Sequence, residues 1–309
     1  MSAIELHSIN KTYNKGAIRA LTDVTLSVEQ GELYGLIGPD GAGKTSLFRI
    51  LTTVLLADSG TASVDGFDVV KDYKQIRKRV GYMPGRFSLY QDLTVEENLD
   101  FFAKVFNTTI QQNYDLVRDI YVQLEPFKTR RAGKLSGGMK QKLALCCALI
   151  HKPSVLFLDE PTTGVDPVSR KEFWEMLARL KAQNITILVS TPYMDEAALC
   201  DRIALIQDSR ILSVDSPDTI TNQFADALYA VHADDMYRAL IELRYAPFIK
   251  SCYGFGDAHH VTVTSMDINA NTVTTYLQER NHTGISVESI PATIEDTFMA
   301  LAGGEHGVA

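Results

Sequence analysis

No segment of this 309-residue sequence approaches the length needed to span a bilayer. Its longest apolar stretches, such as Val155–Leu158 and Ile203–Ile206, are short, as buried parallel strands should be. Nothing near the N-terminus joins a basic patch to an apolar run and a small-residue cleavage site, so no secretory leader is expected. Any membrane would have to be crossed by another chain. Positive charge is also scarce. With 30 Lys and Arg against 38 Asp and Glu, the net charge of −8 argues against a nucleic-acid partner. It leaves phosphate ligands open, because backbone N–H groups rather than bulk charge usually hold them. The four cysteines (Cys146, Cys147, Cys200, Cys252) have neither metal-ligand spacing nor the density of a disulfide scaffold, and read as reduced core residues. There is no internal repeat and no low-complexity segment.

What is present is an ordinary globular composition, 45% apolar and 22% charged, with room for one large domain and a smaller one. Residues 1–216 alternate short β-rich runs with glycine loops and amphipathic helices. Ile4–Ile9, Val24–Val28, Leu33–Ile37, Val155–Leu158, Thr186–Ser190 and Ile203–Gln207 read as strands, and Thr45–Thr53 as a helix. That alternation implies an α/β fold with a mostly parallel sheet. Residues from about 83 to 150 are largely helical and are expected to form a separate lobe. Asp215–Ser216–Pro217 closes this first domain. Residues 217–309 then read βαββαβ, with strands Leu228–Ala233, Phe248–Phe255, His260–Thr264 and Ile285–Ile290 and helices Asp234–Arg244 and Met266–Arg280, the order of a small ferredoxin-like α+β domain. His259 and His260 are adjacent on a strand and face opposite sides. They read as solvated edge residues rather than as a metal site.

Two constellations carry chemistry. Gly38-Pro39-Asp40-Gly41-Ala42-Gly43-Lys44-Thr45 fits G-x-x-x-x-G-K-[ST] in the strand–loop–helix setting that a phosphate loop requires. Its glycines let backbone N–H groups converge on phosphate oxygens, Lys44 can reach the β- and γ-phosphates, and Thr45 can ligate Mg²⁺. Ser46 adds a hydroxyl donor. Downstream, the strand Val155–Leu158 ends in Asp159-Glu160-Pro161. Asp159 would hold the Mg²⁺, usually through water, and Glu160 would act as general base on an attacking water. A strand ending in Asp-Glu is commonly just an exposed turn; the phosphate loop upstream gives it the catalytic reading.

Leu135-Ser136-Gly137-Gly138-Met139, followed by Lys140-Gln141-Lys142 and an apolar helix, resembles the signature motif of the ATP-binding-cassette (ABC) family. Taken alone, Ser136 is a helix cap. The resemblance covers residues 13 to 196 and implies a P-loop NTPase cassette, a RecA-like core with a helical lobe. It further implies that ATP is sandwiched between this chain's phosphate loop and the signature of a second subunit, with Ser136, Gly137 and Gly138 serving the partner's nucleotide. Thr163-Gly164-Val165-Asp166 resembles the family's D-loop at that interface. Tyr13 is the candidate for stacking on adenine, against the alternative of an ordinary strand-edge tyrosine. In the family, a cleft by the helical lobe receives a coupling helix of the membrane subunit. Phe87–Leu99 matches that region, with Leu93, Val95, Leu99 and Phe102 either lining the cleft or filling the lobe core.

The sequence departs from the family at two catalytic positions. A glutamine usually follows the Gly-Tyr-x-Pro run; here Gly81-Tyr82-Met83-Pro84 is followed by Gly85, and Gln91 comes six residues later. The switch histidine that contacts the γ-phosphate is replaced by Pro192 in Ser190-Thr191-Pro192-Tyr193, which has no side-chain donor and no backbone N–H. Asp40 also places an anion in the loop where many relatives carry asparagine. The resemblance, extended by Ile290–Leu301 to ABC-2 type exporters, implies an ATP hydrolase at the cytoplasmic face of a membrane, paired with permease subunits and a second cassette. Gly85 and Pro192 favour a different second cassette over an identical one, with this chain as the degenerate half. Rival readings are a non-transport ABC ATPase acting on ribosomes or DNA, and a regulatory nucleotide sensor.

Overall fold

Strand β3 (Leu33–Ile37) is apolar throughout and buried at every position, as a central strand covered on both faces must be. It lies in a six-stranded sheet with β6 (Val80–Met83), β7 (Val155–Asp159), β8 (Thr186–Thr191), β9 (Arg202–Gln207) and β10 (Arg210–Asp215), in the order β10-β9-β3-β8-β7-β6. All neighbours are parallel except β10, which returns antiparallel to β9. The computed structural model describes residues 2–303. Residues 304–309, the end of the C-terminal domain expected from the sequence, lie outside the described residues.

A second, antiparallel sheet joins the long strands β1 (Ser2–Tyr13) and β2 (Ile18–Glu29) to β4 (Ser59–Val64) and β5 (Phe67–Asp68). The Val24–Val28 run is thus only the second half of a strand that starts at Ile18. Between the two sheets, helix α1 (Lys44–Leu51) buries Leu47, Phe48, Ile50 and Leu51, and Phe48 meets Phe157 edge to face at 6.0 Å. Helix α2 (Tyr73–Arg79) leads into β6. Residues 83–150 carry three longer helices, α3 (Val95–Val105), α4 (Tyr114–Leu124) and α5 (Gly137–Leu149). A capping box between Thr94 and Glu97 starts α3. Asp166 caps α6 (Pro167–Ala182) by accepting the Ser169 N–H at 3.0 Å, and Pro167 occupies its first turn.

The chain divides into two compact units, Met1–Pro217 and Asp218–Ala309. The second starts with α7 (Pro217–Asn222) and continues as β11 (Leu228–His232), α8 (Met236–Arg244), β12 (Ile249–Phe255), β13 (Ala258–Val263), α9 (Ala270–Gln278), β14 (Ser286–Ser289) and α10 (Ile294–Gly303). Its antiparallel sheet runs β12-β13-β11-β14, the ferredoxin-like order, with α8 and α9 on one face.

The expectation for His259 and His260 fails here. β13 is an interior strand, so neither ring is at an edge. His259 is buried with Nε2 2.7 Å from the Met236 carbonyl. His260 faces the other way, as alternation requires, but stacks on Phe255 at 4.0 Å and bonds Asp296 of α10 at 2.7 Å. All four cysteines are buried and unpaired, and burial pushes their thiols up. Among the described residues no helix is long and apolar enough to cross a membrane.

Candidate functional site

Parallel strands β3, β8 and β7 end side by side, and their register sets the site. Ile37 pairs with Thr191, and Asp159 pairs with Ser190. The residues that follow, Gly38, Pro192 and Glu160, therefore emerge at one edge of the sheet, where open α/β sheets bind their ligands. At its two ends the loop Gly38–Gly43 closes onto its surroundings so tightly that side chains are excluded there. A Cβ on Gly38 would collide with the Ile206 carbonyl and one on Gly43 with the Ala20 carbonyl, while Gly43 itself has φ of 107°. Gly41 (φ 83°), Asp40 and Pro39 are exposed at the loop tip, and Ala42 is buried beneath it. Such a cradle fits a polyphosphate at the positive end of α1.

Lys44 is almost fully buried. Its ammonium donates to the carbonyls of Gly38 (2.7 Å) and Pro39 (3.0 Å) and lies 3.1 Å from Glu160 Oε1. Thr45, Asp159 and Glu160 line a common cavity of about 480 Å³ with Arg49, Tyr82, Pro84, Gly85 and Arg86. A hydroxyl and a carboxylate flanking a phosphate cradle are the oxygen donors Mg²⁺ prefers. Burial pushes the Tyr82 phenol up to about 12, with the Asp159 charge adding to it and Arg49 opposing. Tyr13 is half-exposed, with its hydroxyl 3.1 Å from Ser46 Oγ and the Lys11 ammonium 5.8 Å from its ring centre.

The other sequence-derived candidates sit apart from this cavity. Ser136 caps α5 by accepting the Met139 N–H at 3.4 Å, and Ser136 and Gly137 are exposed. A Cβ on Gly138 would stand 2.8 Å from Ser169 Oγ, and one on Gly137 3.7 Å from the Gly164 carbonyl, so the Leu135–Met139 motif lies against the D-loop-like turn of its own chain. Gln91 gives its carbonyl to the Gly133 N–H at 2.9 Å and is absent from the cavity. Val95 and Leu99 are lobe core. Phe102 instead lines a second cavity of about 270 Å³ with Val54, Leu89, Phe106 and His151, between the turn after α1, α2, β6, α3 and α5.

Several residues of the edge were not singled out from the sequence. Ser190 Oγ donates to Asp159 Oδ1 at 2.7 Å and accepts the Glu160 N–H at 3.0 Å, fixing both carboxylate residues. Its place opposite Asp159 follows from strand register, which a linear motif search does not see. Buried Glu196 accepts from Thr191 Oγ1 (2.5 Å), Thr162 Oγ1 (3.1 Å) and Arg170 Nε (3.1 Å). It thereby ties β8, the turn after Glu160 and α6 together.

The family model described as "ABC transporter" matches residues 21–163. The chain is 42% identical over 226 residues to the probable multidrug ABC transporter ATP-binding protein YbhF of Escherichia coli, covering 72% of this chain and 39% of that one. It is 35% identical over 309 residues to the Nod factor export ATP-binding protein I of Burkholderia orbicola, covering 99% and 98%. A solved ATP-binding subunit of an ABC transporter superposes with a TM-score of 0.65 at 28% identity, over 72% of this chain and 93% of that one.

Proposed function

Because the chain belongs to the ABC transporter family of ATP-binding proteins, we propose that it is the ATP-binding and ATP-hydrolysing subunit of an exporter. It would be seated on the inner face of the membrane and coupled to separate permease subunits. The observation that carries this reading is the convergence of Lys44, Thr45, Asp159 and Glu160 on one sheet edge beside a glycine-rich loop.

In this reading the N–H groups of Gly38–Ser46 and the Lys44 ammonium hold the β- and γ-phosphates, and Tyr13 stacks on adenine. Mg²⁺, held by Thr45 and, through water, by Asp159, would neutralise phosphate charge and align the terminal group. Glu160 takes a proton from the attacking water as the new P–O bond forms and the bond to the bridging oxygen breaks, leaving with ADP. Lys44 now sits on Glu160 and two carbonyls, so an arriving phosphate competes for its ammonium and frees the base. Ser136, Gly137 and Gly138 would close over a second subunit's nucleotide. ATP bridging two surfaces binds the closed pair more tightly than the open one, and this difference drives the conformational work.

We further propose that the pair is asymmetric. Gly85 and Pro192 would serve the site in cis and lack side-chain donors, whereas the motif serving the partner in trans is intact. The cavity lined by Leu89, Phe102 and Phe106 would receive the permease segment. Two measurements test these readings. Wild-type chain should bind Mg-ATP while Lys44→Ala does not, and its weak ATPase should rise sharply when the partner cassette is added. Affinity purification from membranes should bring down an integral permease. Recovery of ribosomes or DNA instead would overturn the exporter assignment, and turnover by the isolated chain equal to that of the complex would overturn the asymmetry.

A further inference from the structure

The loop leaving β6 has a feature that the phosphate-site motifs do not account for. β6 pairs with β7 through Met83 and Leu158, so Pro84–Arg86 runs alongside Asp159 and Glu160. It runs very close to them. A Cβ at position 85 would stand 3.0 Å from the Asp159 carbonyl oxygen, tighter than side chains normally pack. Glycine lets the loop press against the end of β7, and the next side chain, Arg86, lines the cavity with Thr45, Asp159 and Glu160.

The charge at this edge also needs accounting for. Asp159 and Glu160 already bring two carboxylates, and a triphosphate would add more negative charge beside them. Lys44 lies within the loop itself. Of the two arginines at the cavity, Arg49 lies on α1 beside Tyr82, whose phenol its charge favours ionising. Arg86 is exposed and makes no ion pair among the described residues. A guanidinium offers a planar, permanently charged fork that matches phosphate oxygens, and an arginine at the terminal phosphate accelerates phosphoryl transfer by orders of magnitude in other nucleotide hydrolases.

We propose that Arg86 contacts the terminal phosphate of the nucleoside triphosphate bound by this chain's own loop, distinguishing tri- from diphosphate and stabilising the transferring group. The proposal rests on the ATP-binding reading above. Gly85 and Pro192 contribute no side-chain donor at this edge, whereas Arg86 brings an exposed cation to the cavity that Asp159 and Glu160 line.

The test uses the full-length chain and fluorescent ATP and ADP analogues titrated with Mg²⁺. Arg86→Ala should weaken ATP about tenfold and leave ADP nearly unchanged, and Arg86→Lys should fall between it and wild type. Single-turnover hydrolysis at saturating ATP should drop in the same order. Because Arg86 is exposed, its loss removes no core packing, and unaltered ADP affinity verifies the fold. If the ATP-to-ADP affinity ratio of Arg86→Ala stays within threefold of wild type, the role of Arg86 is refuted while nucleotide binding stands. Wild-type chain that binds neither nucleotide refutes the ATP-binding reading itself.

Discussion

Replacing Glu196 with alanine is expected to be among the most damaging single changes in the first unit. Glu196 is 2% exposed and its two oxygens accept from three donors on separate segments. Truncation leaves the Thr162 and Thr191 hydroxyls, 1% and 0% exposed, without their acceptor. Each stranded group costs about 1–2 kcal/mol. Arg170 suffers less, because its side chain is 22% exposed, keeps Asp195 at 3.0 Å and lies over the Tyr193 ring at 4.3 Å. Removing a buried charge also relieves some desolvation. The net loss is about 3 kcal/mol, which for a unit of this size lowers Tm by roughly 6–12 °C. Glu196→Gln keeps shape and one acceptor and should cost about half as much.

The assay is built into the chain. Trp174 is the sole tryptophan, buried on α6 one turn beyond Arg170, so its fluorescence in urea reports the first unit alone. A double-mutant cycle of Glu196→Ala with Arg170→Ala should give a coupling of about 1–3 kcal/mol. The reasoning is refuted if Glu196→Ala costs under 1 kcal/mol, or if the two changes simply add. Thr191 precedes Pro192 and Thr162 follows Glu160-Pro161, so loosening this knot should also lower ATP turnover.

Three further outcomes are expected. Ser190→Ala frees Asp159 and weakens the hold on the Glu160 N–H, and should cut Mg²⁺-dependent ATP affinity several-fold while leaving binding in EDTA unchanged; equal losses in both conditions would contradict it. Pro192→His should raise hydrolysis at this chain's own loop in the assembled pair at saturating ATP, and no change at all would remove the ground for asymmetry. Burial holds His151 below the ordinary histidine range, with Nε2–H donating to the Val80 carbonyl and Nδ1 buried without a partner. A depressed folded pKa gives stability that is complete above about pH 6.5 and drains away as pH falls toward the folded value. His151→Phe, which retains stacking on Phe106, should therefore flatten the urea-stability slope between pH 7.5 and 5.5; an unchanged slope would refute the assignment.

The parts of the fold that read cleanly were those whose signal is local. Leu33–Ile37 was legible to the residue because a fully buried parallel strand is continuously apolar and a glycine loop marks its end. The βαββαβ order of the second unit was legible because alternation and helical periodicity change abruptly at its turns. The start of β2 at Ile18 was not, because Ile18 and Arg19 are exposed and Ala20–Asp23 follow no simple alternation across several bulges. His259 and His260 were misjudged for a related reason: whether a strand is interior depends on strand order, which neighbouring residues do not encode. The glycine loop between β3 and α1 could be placed from spacing alone. Ser190, Glu196 and Arg86 could not, since each meets residues far away in sequence.

Those three residues bear on how binding and hydrolysis are connected at the edge. Ser190 and Glu196 hold the backbone around Glu160 in place, and Glu160 is further constrained by its left-handed φ of 51°. If Glu160 is the base proposed above, it must be released from Lys44 before it can accept a proton, and a ligand that competes for that ammonium would release it. A diphosphate offers the loop fewer negative oxygens than a triphosphate and, on the proposal above, leaves Arg86 at the cavity without a phosphate partner. Hydrolysis readiness would then depend on the terminal phosphate drawing both Lys44 and Arg86. On this account Arg86→Ala and Lys44→Ala should differ in kind. The lysine change should abolish binding of both nucleotides, and the arginine change should make ATP behave like ADP. A chain in which both substitutions weaken ATP and ADP alike would show that the edge does not read the third phosphate.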